Sequence, residues 1–474
     1  MTDPFVVIGG DAAGLSAASK CLREDPERDV VVFEKSRWIS YAHCGTPYFV
    51  KDEVDRLEDL LSLSPEEADE RGIDLRRGHE VVAVDTDART VTVESGVETF
   101  EQAYGDLLVA TGARAVDAPI DGAALDGVFT LHGLDDAAAI RAFLTPPEEF
   151  DIADLGGGDA LDASAVERYG ELAPPETVAV VGAGYVGVEM AEAFDAWDLD
   201  VHVFQRSERP VPGFGDAVGD AVAEALRGAD VTTHFGEEVV RLRGDDAVES
   251  VVCDSGSELD VDAALVGIGI RPNTELVDGT PIELGESGAI ATDAYGRTSA
   301  ADVYAAGDVA EMPHAVTGAP TWDPLGLPAN RAGRAIGATV GGDPTPIGAV
   351  ADTAMVKAFD LECGRTGILD PDRAREAGFD PVSETISAGS RSGYYPGAAE
   401  TTVTLVADRE SGRLLGGSIA GTDRAAVRID TVATALGAEL TVAELERQDL
   451  GYAPPFSPVW DPVLVAAKVL NGSL

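Results

Sequence analysis

The chain is 474 residues long and 45% hydrophobic, enough for about three domains with substantial cores. It carries 34 basic and 85 acidic side chains, a formal net charge of −51. That balance disfavours nucleic-acid binding, which needs a basic stripe to neutralise phosphates. The acids are spread from Asp3 to Asp461 rather than gathered in a tail. The pattern predicts a hydrated acidic surface suited to concentrated salt, with docking of a basic partner as the alternative. Lysine is scarce (Lys20, Lys35, Lys51, Lys357 and Lys468). Cys21, Cys44, Cys253 and Cys363 are too scattered for a disulfide framework or a zinc site. No secretory leader is apparent, and no apolar run approaches the ~20 residues a bilayer span requires. The expectation is a soluble protein of the reducing cytoplasm, with no metal, membrane or nucleic-acid partner.

In chain order, strand Phe5 to Ile8 leads into Gly9-Gly10-Asp11-Ala12-Ala13-Gly14, a small-residue helix to about Arg23, and strand Val30 to Glu34. The glycines fall where the turn must be tight and where backbone N–H groups approach a pyrophosphate at a helix N-terminus. Cys44 follows within Ser40-Tyr41-Ala42-His43-Cys44-Gly45-Thr46-Pro47-Tyr48, with no second cysteine nearby, and Gly45-Thr46-Pro47 reads as a helix start. Asp106 to Val109 reads as a buried strand ending at Thr111-Gly112, and Pro146 to Pro175 as an acidic surface loop. A second unit repeats the first: strand Val178 to Val181, then Gly182-Ala183-Gly184-Tyr185-Val186-Gly187, a helix to about Trp197, and strand Asp200 to Gln205. One such fingerprint is weak evidence; two, each completed by a second strand, are strong. Beyond lie strand Leu265 to Ile270 with Gly269 at its exit, strand Val303 to Ala306 ending at Gly307-Asp308, and a linker at Asp343 to Ile347. The remaining residues mix helices with strands such as Thr401 to Val406.

These motifs together resemble the pyridine nucleotide–disulfide oxidoreductase superfamily over the whole chain. The resemblance implies an α/β fold with two Rossmann-like dinucleotide-binding domains, for FAD and NAD(P)H, and a C-terminal α+β dimerisation domain. The expected boundaries are 1–117 and 290–345 for the FAD domain, 118–289 for NAD(P)H and 346–474 for dimerisation. Gly9, Gly10, Ala13 and Gly14 would cradle the FAD pyrophosphate and Glu34, with Lys35 beside it, the adenosine ribose. Thr111, Gly112, Gly307 and Asp308 match further flavin-side positions, Asp308 meeting the ribityl chain, and Gly269 is a further cofactor-binding position. Asp11, where the fingerprint has its middle glycine, has no assigned role. Gly182, Gly184, Gly187 and Glu189 would serve NAD(P)H. Arg206 just past the second strand favours NADPH over NADH.

The lone Cys44 resembles the single-cysteine branch: coenzyme A disulfide reductases, NADH oxidases and NADH peroxidases. Oxidases and peroxidases carry a histidine inside the first fingerprint, where this chain has Ala12. Coenzyme A disulfide reductases have the Gly-Gly-x-Ala-Ala-Gly turn seen here and use C-terminal tyrosines across a homodimer. Tyr395 and Tyr452 match those positions, with Tyr394 an alternative to the former and Phe456 where some relatives carry another tyrosine. Lys20 and Arg23 share a helix face and would hold coenzyme A phosphates, with Ser40 and His43 lining the thiol. The implied reaction passes electrons from NAD(P)H through FAD to Cys44, which cleaves a small-molecule disulfide while a partner tyrosine protonates the departing thiol. Alternatives are an NAD(P)H oxidase making peroxide or water, a persulfide or polysulfide reductase, and a non-catalytic flavin-binding redox sensor. An end at Leu474 leaves no room for the rhodanese-like domain that some persulfide-reducing relatives add.

Overall fold

The computed structural model describes residues 3–116 and 120–474. Two five-stranded parallel sheets hold the centre. The first runs Val303–Ala305, Asp106–Val109, Phe5–Ile8, Val30–Glu34, Asp74–Arg77. The second runs Thr232–Phe235, Asp200–Gln205, Thr177–Val181, Ala263–Val266, Val128–Phe129. In each, the central strand that leads into the glycine turn, Phe5–Ile8 or Thr177–Val181, is wholly or nearly apolar and buried, as parallel sheets with both faces covered require.

The two units are copies of one plan. Counted from the strand that leads into its glycine turn, each places a three-stranded antiparallel meander between its third and fourth strands, at His79–Asp85, Thr90–Ser95 and Thr99–Ala103 in one and Val239–Arg243, Ser250–Cys253 and Glu258–Asp260 in the other. They differ in the fifth strand. The first sheet borrows it from Val303–Ala305, far downstream, and the second from Val128–Phe129, just upstream.

The helix Ala12–Glu24 follows the first fingerprint and packs on a second helix, Gly326–Val340, with backbones nearly touching. A Cβ added at Gly333 would lie 2.1 Å from the Ala13 carbonyl oxygen, and one at Gly337 2.2 Å from that of Ala17. Glycine at this four-residue spacing is what lets the helices approach. The chain closes in a five-stranded antiparallel sheet, Ala354–Ala358, Leu361–Gly367, Leu414–Gly421, Glu400–Asp408, Pro381–Gly389, with helices Ile429–Gly437 and Pro462–Ser473 packed against it.

Two expectations need correction. Residues 146–175 are no loose loop: helices Ile152–Leu155 and Ala163–Gly170 lie there, and Leu155, Leu161, Val166 and Tyr169 are buried in the core shared with helix Leu134–Leu144. Four apolar anchors outweigh an acidic, glycine-rich composition. The stretch 343–347 has no regular element but is tied down, because Ile347 is buried and its N–H donates to the Ala294 carbonyl.

Candidate active site

A cleft of about 2690 Å³ runs past both fingerprints and reaches Cys44. Gly9, Gly10, Ala13, Glu34, Lys35, Thr111, Gly112 and Gly307-Asp308 line it on the first unit; Gly182, Gly184, Glu189, Arg206 and Gly269 line it on the second. Gly14 and Gly187 stand behind the turns. A Cβ there would lie 1.9 Å from the Gly9 carbonyl oxygen and 1.8 Å from that of Gly182, respectively, so each allows its helix to seat against its strand.

The strand-end side chains then set each turn. Glu34 accepts from the Gly10 N–H at 2.8 Å and from the Ser36 N–H at 2.7 Å. In the second unit Gln205 takes the equivalent place, its Oε1 accepting from the Ala183 N–H at 2.9 Å. A neutral amide therefore stands where its counterpart is a carboxylate. Arg206, Ser207, Glu237 and Glu238 line the cleft beside it. The Thr111-Gly112 turn is stitched to Asn273: Thr111 Oγ1 donates to the Asn273 carbonyl, Asn273 Nδ2 to the Thr111 carbonyl, and Asn273 N–H to that of Gly112, at 2.7, 2.8 and 2.9 Å.

Cys44 sits in a single 3₁₀ turn, His43–Gly45, that runs straight into helix Thr46–Val50 with Pro47 in its first turn. Its side chain is exposed, whereas Cys21, Cys253 and Cys363 are buried. Burial pushes the Cys21 and Cys363 thiols up to about 12, which keeps them protonated and inert. Two residues of this region had no role readable from sequence. Asp11 turns toward the cysteine: its Oδ2 lies 2.5 Å from His43 Nε2. Tyr48, four residues past Cys44, donates its hydroxyl to Glu189 Oε1 at 3.1 Å, so the cysteine helix touches the second nucleotide unit. Burial raises the Glu189 carboxyl to about 7 and the Asp308 carboxyl to about 6. Asp323, also lining the cleft, rises to about 7 by burial and the neighbouring Asp352 charge.

Ser40 and His43 line the cleft, whereas Lys20 and Arg23 do not. Lys20 pairs with Glu24 one turn along, and Arg23 Nε donates to the Ser19 carbonyl of its own helix at 3.1 Å. A substrate-phosphate role requires both to leave these partners. Tyr395 and Tyr452 lie outside the cleft on the C-terminal unit, 37% and 49% exposed, and Tyr394, Phe456, Val459 and Trp460 of that unit are exposed too. Arg428 ties their two loops together, donating to the carbonyls of Ser390 at 2.6 Å and Phe456 at 3.2 Å. Its spacing from either tyrosine carries no sequence signal.

The cleft suits a flavin dinucleotide: a helix N-terminus faces the first turn, glycine backbones leave room, and Glu34 is oriented beside it. Two fingerprints, one exposed thiol between them and a separate closing sheet define a two-nucleotide flavoprotein reductase. The chain belongs to the pyridine nucleotide-disulphide oxidoreductase family, which it matches over residues 3–321, and residues 353–462 match that family's dimerisation domain. It is 38% identical over 473 residues to the NAD(P)H coenzyme A polysulfide/persulfide reductase of Pyrococcus horikoshii, covering 99% of each chain. It is 28% identical over 457 residues to the coenzyme A disulfide reductase of Staphylococcus haemolyticus, covering 96% of each. Among solved structures, a NAD-dependent persulfide reductase from A. fulgidus superposes with a TM-score of 0.90 at 32% identity, over 99% of this chain and 83% of that one. The protein is thus an FAD-dependent NAD(P)H oxidoreductase of the disulfide and persulfide class. Among the described residues no helix is long and apolar enough to cross a membrane.

Proposed function

We propose that the chain reduces coenzyme A disulfide or a related low-molecular-weight disulfide through Cys44, with NADPH as the preferred donor. One observation carries this reading: Cys44 alone of the four cysteines is exposed, and it lies in the cleft both fingerprints share. Gly9–Gly14 and Glu34 would hold FAD, which would supply the electron transfer between NAD(P)H and the thiol. Cys44 thiolate attacks one sulfur of the substrate, forming a mixed disulfide and releasing the other half as a thiolate. Two electrons drawn from NAD(P)H, with two protons, then return the mixed disulfide to the Cys44 thiol and a second substrate thiol. Glu189, its carboxyl raised by burial and held by the Tyr48 hydroxyl, lines the second-fingerprint side of the cleft, where the nicotinamide would lie. NADPH is favoured because Gln205 removes the carboxylate that would repel a 2′-phosphate, and Arg206 supplies a cation beside it.

The exposed Tyr395, Tyr452, Phe456 and Trp460 are the kind of apolar surface that a partner copy covers. In a homodimer Tyr395 or Tyr452 reaches the partner's cleft and protonates the departing thiolate. The domain division follows: 1–117 with 290–345 for FAD, 118–289 for NAD(P)H, 346–474 for dimerisation, in a cytoplasmic protein. Polysulfide or persulfide reduction is the second reading, favoured by the activities for which two similar proteins are named.

The test compares coenzyme A disulfide, cystine, polysulfide and oxygen as acceptors, with NADPH and NADH as donors. Coenzyme A disulfide should be fastest, and Cys44→Ser should keep its flavin while losing disulfide reduction. Undiminished disulfide reduction in that variant rejects the assignment. An oxygen rate exceeding every sulfur acceptor makes the protein an oxidase instead.

A further inference from the structure

Asp11 occupies the N-cap of helix Ala12–Glu24 but makes no side-chain cap. An aspartate there ordinarily accepts from a first-turn N–H. Here the carboxylate takes His43 Nε2 at 2.5 Å instead, while His43 Nδ1 lies 3.0 Å from the His132 carbonyl oxygen. A carboxylate and a carbonyl oxygen only accept. Both ring nitrogens must therefore carry protons, which makes His43 an imidazolium.

The surroundings bear this out. Burial opposes a charge on His43, but the bond to Asp11, the Asp11 charge, the His132 carbonyl and the Asp308 charge together hold its pKa above the ordinary 6.5. The Tyr41 ring packs 4.1 Å from the imidazole and the His132 ring 5.7 Å. Burial and the His43 charge keep the His132 pKa down, against the charge of Asp136, so His43 is the group of this pair that holds the proton. Tyr41, raised by burial and by Asp11, Glu34, Asp136 and Asp135, stays a neutral phenol.

We propose that His43, clamped between Asp11 and the His132 carbonyl, is a proton-dependent staple that positions the Cys44 turn against the flavin-binding turn. Three separate segments meet at this ring: the first fingerprint, the cysteine turn, and the approach to helix Leu134–Leu144. Neutral imidazole has one N–H for two acceptors, so loss of a proton breaks one tether. The tether is complete below the ordinary histidine pKa and fails as pH rises through the raised value. The inference rests on Cys44 being the redox thiol; the geometry of the staple does not.

The experiment follows the histidine nitrogens of the ¹⁵N-labelled holoenzyme by NMR from about pH 5 to about pH 9. The His43 signals are assigned by their loss in His43→Asn. In the unmodified enzyme His43 should remain doubly protonated at pH 6.5 and titrate above it. In Asp11→Asn, where the acceptor persists without its charge, the midpoint should fall. Disulfide reduction should lose about tenfold in kcat on an alkaline limb that tracks the His43 titration, moves to lower pH in Asp11→Asn and is absent in His43→Asn. A wild-type His43 midpoint at or below 6.5, or a limb unchanged in His43→Asn, overturns the proposal. If a substitution costs the flavin, seen as lost visible absorbance, the wild-type titration still decides. Disulfide reduction surviving in Cys44→Ser rejects the redox-thiol reading, and with it a positioning role for the staple.

Discussion

Glu192 offers the sharpest stability prediction, because it joins three parts of the molecule. Its carboxylate, 8% exposed, pairs with Lys51 just past the cysteine helix at 2.7 Å and with Lys357 of the C-terminal sheet at 2.5 Å. It also accepts from the Phe359 N–H at 2.8 Å. Two lysines from a lysine-poor chain are spent here. Burial opposes the charge, and the two ammonium groups with the Phe359 N–H outweigh it, so the pKa is lowered. Glu192→Gln preserves shape and leaves an acceptor for Phe359. Lys357, 43% exposed, returns to water at a cost of about 0.5 kcal/mol. Lys51, 17% exposed, keeps only its bond to Glu53 and carries the larger part, so the total should be roughly 2–3 kcal/mol, somewhat below the loss expected for a fully buried pair. Urea unfolding followed by tryptophan fluorescence reads this joint, since Trp197 Nε1 donates to the Val50 carbonyl at 2.8 Å beside it. A depressed carboxylate stabilises above its unfolded pKa and ceases to do so as pH falls through the folded value. The difference between variant and wild type should therefore hold at pH 7 and shrink below about pH 4. A loss under about 1 kcal/mol, or one erased by ~1 M salt, would mean that the pair behaves as an exposed one and would refute the reasoning.

Gln205→Glu restores a carboxylate at the second strand end and should shift donor preference toward NADH by about tenfold or more, read as the ratio of kcat/KM values; an unchanged ratio places the discrimination elsewhere. Glu189, raised to about 7 by burial, favours the folded state when protonated and loses that advantage as pH rises from 4.5 through 7. Glu189→Gln should thus flatten the pH dependence of thermal unfolding and exceed wild type at pH 8, whereas equal profiles would show the carboxyl to be well solvated. Gly333→Val should separate the two packed helices and abolish flavin retention, measured as absorbance carried through gel filtration, because its Cβ meets the Ala13 carbonyl oxygen. With a net charge of −51, the protein should gain several degrees of thermal stability between ~10 mM and ~1 M salt, as the screening length falls from about 30 to about 3 Å.

Both nucleotide turns and the helix start after Cys44 were legible because their signals are local: glycine spacing, a flanking apolar strand, and proline in a first turn. Helix Gly326–Val340 was not, because its contact stripe is built from Ala329, Gly333 and Gly337 rather than large apolar residues. The helices at 152–170 were hidden by their brevity and by Gly156-Gly157-Gly158 between them. Asp11 looked like an anomaly in a phosphate-binding turn. Its partner stands 32 residues away, across a contact that no local pattern encodes. Lys20 shows the reverse case, for Glu24 four residues on already announced where its charge would go.

The borrowed strand of the first sheet dictates an order of assembly during synthesis. The second nucleotide unit draws its sheet from Val128 to Val266 and can close as soon as that stretch has emerged. The first must wait for Val303–Ala305 and then for helix Gly326–Val340. At roughly 10 residues per second, the apolar edge of Asp106–Val109 stays open for on the order of 20 seconds. Of the two nucleotide units, the one begun first is thus finished second, and a ribosome that stalls near residue 300 leaves a nascent protein whose second unit is closed and whose first is exposed to aggregation.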